Sequence, residues 1–371
     1  MNKEEFDFIL QDRIAKIQAI NAQLDLENNS YIAFSGGKDS TILHYLIDLA
    51  LPSNKIPRVY ANTGIEYIAM VKYVKSFKDD RFVILNQNRN IKKTLNEYGY
   101  PFKSKEYALR VEQFNKGSNA NYIKKYLSTD NTSCYFKCPK KLLYQFEEKG
   151  KYNFSNKCCY KLKKDLMHQW QKDAKRKITI TGMRSEEGGN RMRLSCLTNN
   201  NKMFHPLIVV SNEWEDMFIE EYKIMLCELY YPPYNFKRTG CKGCPFNKNI
   251  QKDLETLYNL LPNEYKQCLH LWKPVYDEYI RIGYRLKSYP HLKGCDTKWA
   301  IDWFVGVAAT DALIKLVMEC VNGVGFLHHL HQSLTLSRAP FIWLKMKLKK
   351  IWNIVLKELV IFVHLILILI C

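Results

Sequence analysis

The chain has 371 residues, of which 47% are apolar and 13% aromatic, so it is not a disordered segment and has room for two domains or one large domain with additions. A formal charge of +19 points to polyanionic partners or anionic substrates. There are 12 cysteines and no secretory signal in the charged, amphipathic start MNKEEFDFILQDRIAKIQAI. A cytoplasmic setting is expected, where clustered cysteines more often bind metal or do chemistry than form disulfides.

Residues 2–24 carry Phe6, Leu10, Ile14, Ile17 and Ile20 at helical spacing. Strand signals follow at 30–34 (SYIAF), 57–61 (PRVYA) and 82–85 (FVIL), with helical patterns at 39–50 and 66–77 between them. Such alternation predicts a parallel sheet covered on both faces, and KITITG at 177–182 reads as its next strand. Residues 103–157 mix helical signals with Ser/Asn-rich breaks. From about residue 236 a cysteine loop precedes two helices, 251–261 and 263–283. The tail ends in LVIFVHLILILIC, starting at Leu359 and broken only by His364. That run is shorter than the roughly 20 residues a membrane span needs, so no transmembrane span is expected and a buried helix or an interfacial anchor remain the alternatives. The expected organisation is an N-terminal helix (1–27), a nucleotide-binding domain (28–235) with a basic insertion at about 103–157, a Cys-x-x-Cys and helical region (236–290), and an apolar tail (291–371).

The stretch YIAFSGGKDSTILHYL, 31–46, places Ser35-Gly36-Gly37-Lys38-Asp39-Ser40 between a strand signal and a helix signal. Without Cβ atoms, Gly36 and Gly37 let successive amides turn inward as an anion nest. The following helix points its positive end at the same place. Ser35 and Ser40 add hydroxyls and Lys38 adds a charge, so the loop reads as a phosphate site. It is not a Walker A loop, whose glycines are spaced differently. The plain alternative is a tight strand-to-helix turn.

Ser-Gly-Gly-x-Asp-Ser resembles the PP-loop of the ATP pyrophosphatase superfamily. ANTGIEY (61–67), GYPFKSKE (99–106) and TGMRSEEGGNRMR (181–193) resemble further signatures of its phosphoadenylylsulfate (PAPS) reductase-like family, in the phage-type and DNA-sulfur-modification-like branch. Asn62 stands where that family's Asp-Thr-Gly-x-Glu signature has its Asp. The resemblance covers roughly 28–285 and implies an α/β, Rossmann-like fold of the adenine nucleotide alpha-hydrolase type, with a helical, cysteine-containing C-terminal part. It also implies roles. Ser35, Gly36, Gly37, Lys38 and Ser40 would cradle the phosphates of ATP or of a sulfonucleotide. Asp39 would help hold Mg2+, and Lys38 and Asp39 would be the catalytic pair. Thr63, Gly64 and Glu66 would lie at the crevice end of the second strand. Arg184 and Arg191 would meet anionic oxygens, with surface ion pairs as the alternative.

Cys158 and Cys159 are adjacent, and Cys241 and Cys244 form a Cys-x-x-Cys about eighty residues later. The order looks like that of adenylylsulfate reductases carrying a 4Fe–4S cluster. Four thiolates close a cubane, and adjacent cysteines reach separate iron corners of it. Tetrahedral zinc and a redox dithiol at 241 and 244 remain alternatives. Cys134 or Cys138 is the candidate replacement for one ligand.

Residues 101–180 hold 19 Lys and Arg against 7 Asp and Glu, interleaved with Phe102, Tyr107, Phe114, Tyr122, Tyr126, Tyr135 and Phe136. A basic surface with stacking rings fits nucleic acid, and a solvated helical face is the equal alternative. A partner protein is a further expectation. The Glu-Cys-Gly-Leu/Ile-His segment that sulfonucleotide reductases share is absent, and MECVNGVGFLHH at 318–329 does not supply it. The expected function is therefore ATP pyrophosphatase or adenylyl-transfer chemistry linked to sulfur transfer. The alternatives are a sulfonucleotide reductase and a non-catalytic regulator that binds nucleotide and DNA.

Overall fold

The structure, a computed structural model, describes residues 1–118, 121–128 and 136–290. Cys134, Tyr135 and the apolar tail lie outside the described residues. The helices are α1 (Lys3–Leu24), α2 (Leu26–Asn29), α3 (Lys38–Ala50), α4 (Ile68–Ser76), α5 (Ile91–Tyr98), α6 (Lys105–Asn115), α7 (Asn121–Leu127), α8 (Lys157–Cys159), α9 (Asp165–Asp173), α10 (Asn212–Glu221), α11 (Ile250–Leu260) and α12 (Pro262–Arg281). The strands are β1 (Ser30–Ala33), β2 (Arg58–Asn62), β3 (Phe82–Asn86), β4 (Ile178–Ile180), β5 (Leu197–Thr198) and β6 (Met203–Phe204). None of these helices is long and apolar enough to cross a membrane.

The six strands form one sheet in the order β3-β2-β1-β4-β6-β5, parallel except for the β5–β6 pair. This is the Rossmann-like α/β arrangement expected from the sequence. The four long-range strands coincide with the apolar runs because a sheet covered on both faces needs apolar side chains on both. In β2, Arg58, Val59, Tyr60 and Ala61 are all buried. The β5–β6 hairpin was not anticipated, since two-residue strands carry no usable alternation. Helix α1 is capped by Asn2, whose side chain accepts from the Glu5 amide at 2.8 Å, and it buries Phe6, Leu10, Ile17 and Ile20.

The chain runs from β1 outward through β2 to β3, then returns to place β4 on the other side of β1. The point where strand order reverses, between β1 and β4, opens a crevice at the carboxyl ends of the strands. The loops after β1 and β4, which contain residues 35–40 and 181–191, meet there through Gly182 and Arg184 against Asp39.

In the basic middle, three of the aromatic side chains lie in the core. Phe102, Tyr107 and Tyr126 are buried, and Phe102 stacks on Phe154 at 4.3 Å and lies 4.8 Å from Tyr279. Phe136 and Tyr126 flank the Arg110 guanidinium at 4.3 and 4.5 Å. These rings build a core under α6 and α7 and do not form an open stacking platform, because burying such large apolar faces outweighs exposing them.

Candidate functional site

The turn after β1 needs its glycines for two reasons. Gly36 has φ +73°, and a Cβ there would run into the sulfur of Met70 on α4. Gly37 has extended backbone that any residue adopts, but a Cβ there would face the Tyr230 and Ser35 hydroxyls, both at 3.3 Å. The loop is tied to itself by hydroxyls. The Ser35 amide donates to Ser40 Oγ at 3.2 Å, the two serine hydroxyls are 3.1 Å apart, and the Gly37 amide donates to Ser35 Oγ at 3.3 Å. Across the crevice, Gly182 lets the segment after β4 approach the backbone of Asp39, which a Cβ would meet at 2.8 Å.

Beside this loop, charges converge on a residue that no motif singled out. Glu215 of α10 is fully buried, with Lys38 Nζ at 2.9 Å from one carboxylate oxygen and Arg184 Nε at 3.0 Å from the other. Neither contact meets hydrogen-bond geometry, so the two cations stand close to the Glu215 carboxyl without directional bonds. Arg184 also reaches Asp39 at 3.3 Å, and Lys38 reaches Asp216 at 3.3 Å. Burial, and then the neighbouring Asp39 carboxylate, push the Glu215 acid up to about 8, against the pull of Lys38 and Arg184. Burial lowers the Lys38 pKa, but Glu215 and Asp216 outweigh it and the lysine stays charged. Arg191 pairs with Glu187, which Arg238 also contacts at 2.6 Å. Arg184 thus belongs to the loop cluster, whereas Arg191 sits in a separate ion pair further along the same segment.

The end of β2 faces elsewhere. The buried Glu66 carboxylate accepts from the Thr63 amide at 2.8 Å and from the Thr63 hydroxyl, and it pairs with Lys163 Nζ at 3.0 Å. Gly64, with φ +83°, makes the turn between them. Lys163 belongs to a π-helical turn, Tyr160–Lys164, that joins α8 to α9. Such insertions re-aim side chains and often lie at functional sites.

That turn opens onto a narrow cleft lined by Cys158, Cys159, Cys241 and Cys244 together with Thr63, Lys163 and Trp272. The Cys158 and Cys159 sulfurs are 3.9 Å apart, and all four thiols are free. The Cys-x-x-Cys loop is held from two sides. The Lys242 amide donates to the Ile65 carbonyl at 3.0 Å, and its carbonyl accepts from Trp272 Nε1 at 3.1 Å. Tyr276 and Tyr279 of α12 donate to the carbonyls of Gly243 and Pro245. Among the described residues, no three His, Cys, Asp or Glu side chains are arranged to hold a single metal ion. The four sulfurs share one cleft without closing on one point. A donor set of four thiols fits an iron–sulfur cluster or zinc by its chemistry. The Cys158 thiol, with Lys105, Lys163 and Lys164 adding positive charge, lowers the Cys159 pKa against the effect of burial, and burial raises Cys241 to about 11. Cys138 lies beside Lys103 and Tyr126 and does not line this cleft.

The structure therefore gathers Ser35, Gly36, Gly37, Lys38, Asp39, Ser40 and Arg184 at one place, and Cys158, Cys159, Cys241 and Cys244 at another. Thr63 and Glu66 lie on the cysteine side. Glu215, Tyr230, Thr239 and Lys163 were missed. Acidic and hydroxyl residues in helices and loops carry no periodic signal, and only the fold brings them to the crevice.

Residues 111–247 match the family model of the phosphoadenosine phosphosulfate reductase domain. No curated protein sequence matches the chain. Among solved structures, the phosphoadenylyl-sulfate reductase of Candida auris in a phosphate complex is similar at 12% identity, covering 65% of this chain and 96% of that one, with a TM-score of 0.35. The U34-tRNA thiolase NcsA of Methanococcus maripaludis, with its 4Fe–4S cluster, is similar at 15% identity over 74% of this chain and 80% of that one, with a TM-score of 0.33. An NH3-dependent NAD synthetase from Campylobacter jejuni is similar at 14% identity over 79% and 99% of the two chains, with a TM-score of 0.34. Likeness at this level assigns no activity.

Proposed function

For a chain whose residues 111–247 match the model of the phosphoadenosine phosphosulfate reductase domain, we propose a PP-loop enzyme that binds ATP and transfers its adenylyl group in support of sulfur transfer. The observation that carries this reading is that two sites share one side of the sheet. The glycine loop opens at the end of β1, and the four-cysteine cleft is built against the Thr63–Glu66 turn at the end of the neighbouring β2. An acceptor atom would attack the α-phosphorus, and the bond to the β-phosphate oxygen would break with release of pyrophosphate. Lys38 and the loop amides stabilise the charge that builds on the leaving group. Asp39 is the side chain for Mg2+, which offsets phosphate charge when bound. Arg184 orients Asp39 through their 3.3 Å contact. Cys158, Cys159, Cys241 and Cys244 are the ligands for a 4Fe–4S cluster, which supplies sulfur or redox chemistry when bound, with zinc as the alternative metal. Lys163 places a positive charge in the cleft: burial lowers its pKa, but Cys241 and Glu66 outweigh that effect and keep it protonated.

A second reading, reduction of a sulfonucleotide, is favoured by the family match itself. Turnover with ATP and with adenosine phosphosulfates separates the two. Pyrophosphate release from ATP supports adenylyl transfer. Sulfite release with a thiol donor, and no pyrophosphate, supports the reductase. Salt-sensitive DNA binding without either product supports a regulator, for which the exposed lysines of 101–180 would supply the contacts.

A further inference from the structure

Reading the glycine loop as a phosphate site leaves its outer wall to be identified. That wall comes from the segment just before the Cys-x-x-Cys loop. The Lys38 amide, in the first turn of α3, donates to the Tyr230 hydroxyl at 3.0 Å. The Tyr230 hydroxyl is also 2.7 Å from Thr239 Oγ1. A Cβ on Gly37 would lie 3.3 Å from the first hydroxyl and 3.7 Å from the second. Two hydroxyls thus stand over the open end of a helix, next to the amides that would bind an anion. Arg238, beside Thr239, shares Glu187 with Arg191, so the same wall carries cationic groups.

We propose that Tyr230 and Thr239 are phosphate-binding residues, donating their hydroxyl protons to the phosphate end of the nucleotide held by residues 35–40. A phosphate oxygen that accepts from the Lys38 amide takes the place of the Tyr230 oxygen there, and the Tyr230 hydroxyl, its proton turned from Thr239, donates to the anion instead. Hydrogen bonds to a charged acceptor are stronger than the neutral amide–hydroxyl and hydroxyl–hydroxyl bonds they replace. The pair recognises phosphate and not the base or ribose, so its effect is confined to the polyphosphate part of the ligand. Thr239 is also two residues from Cys241, so one short segment joins the phosphate wall to the cysteine cleft.

The test titrates pyrophosphate, ATP and adenosine into anaerobically purified full-length protein, comparing wild type with Tyr230→Phe and Thr239→Val. Both variants keep the local volume, and thermal melts confirm that they fold. Tyr230→Phe should weaken pyrophosphate and ATP binding roughly tenfold, with Thr239→Val smaller in the same direction and adenosine unchanged. Folded variants that bind pyrophosphate as tightly as wild type, or more tightly, overturn the proposal. So does a loss of adenosine binding in parallel with pyrophosphate, which marks a merely structural role. Wild-type protein that binds neither ATP nor pyrophosphate overturns the phosphate-loop reading and this proposal with it.

Discussion

Gly36 and Gly37 are neighbours with different requirements. Gly36→Ala forces a side chain into left-handed backbone and against Met70, which together should cost roughly 2 kcal/mol or more and lower the melting temperature. Gly37→Val meets no such backbone strain. Its branched side chain instead fills the space before the Tyr230 and Thr239 hydroxyls, so ATP binding should disappear while the fold persists. Unchanged ATP affinity in a folded Gly37→Val protein, measured by isothermal titration, would remove the phosphate site. The glycine loop was legible in the sequence because six consecutive residues carry it. Glu215 was not, because its role arises only from burial beside Lys38 and Arg184. Its acid rises from an ordinary 4.5 to about 8, so between those values the folded chain holds more protons than the unfolded one. Stability from this group is therefore full below about pH 4.5 and lost as pH rises through about 8. Wild type minus Glu215→Gln, followed by chemical denaturation at several pH values, should fall across that window. A flat difference would contradict the assigned protonation.

At the scale of elements, strands and long helices followed from apolar spacing, whereas the pieces that shape the cysteine cleft did not. The Tyr160–Lys164 π-turn has no periodic signature, yet it aims Lys163 at Glu66. For the aromatic residues of 102–136 the sequence left a stacking surface and a solvated helical face open, because a sequence shows which rings recur and not which are covered. Phe102, Tyr107 and Tyr126 prove buried and Tyr122 exposed. The Cys-x-x-Cys spacing stood out in the sequence, but the anchoring of its loop by Trp272, Tyr276 and Tyr279 emerges only from packing. Gly243 fixes that anchoring. It has φ +61°, and a Cβ there would lie 2.5 Å from the Tyr276 hydroxyl and 2.7 Å from the Cys268 sulfur. Gly243→Ala should shift the loop and sharply reduce bound metal while leaving ATP binding within about twofold, since the glycine loop keeps its own bonds. Metal content equal to wild type in this variant would show that the loop position is not critical.

At the scale of the whole molecule, the described strands and helices and the residues of both candidate sites fall within residues 1–290. Deleting 296–371 should therefore leave ATP binding intact, and its loss in a soluble truncated chain would show that the nucleotide site depends on the tail. What the four cysteines hold separates a cluster enzyme from the alternatives most directly. Protein purified without oxygen, with iron, acid-labile sulfide and zinc assayed on one sample, should contain about four irons and four sulfides per chain and a brown absorption band. Cys244→Ala should lose most of that iron while still binding ATP. About one zinc per chain with no sulfide, or no metal at all in freshly prepared wild-type protein, would contradict the cluster.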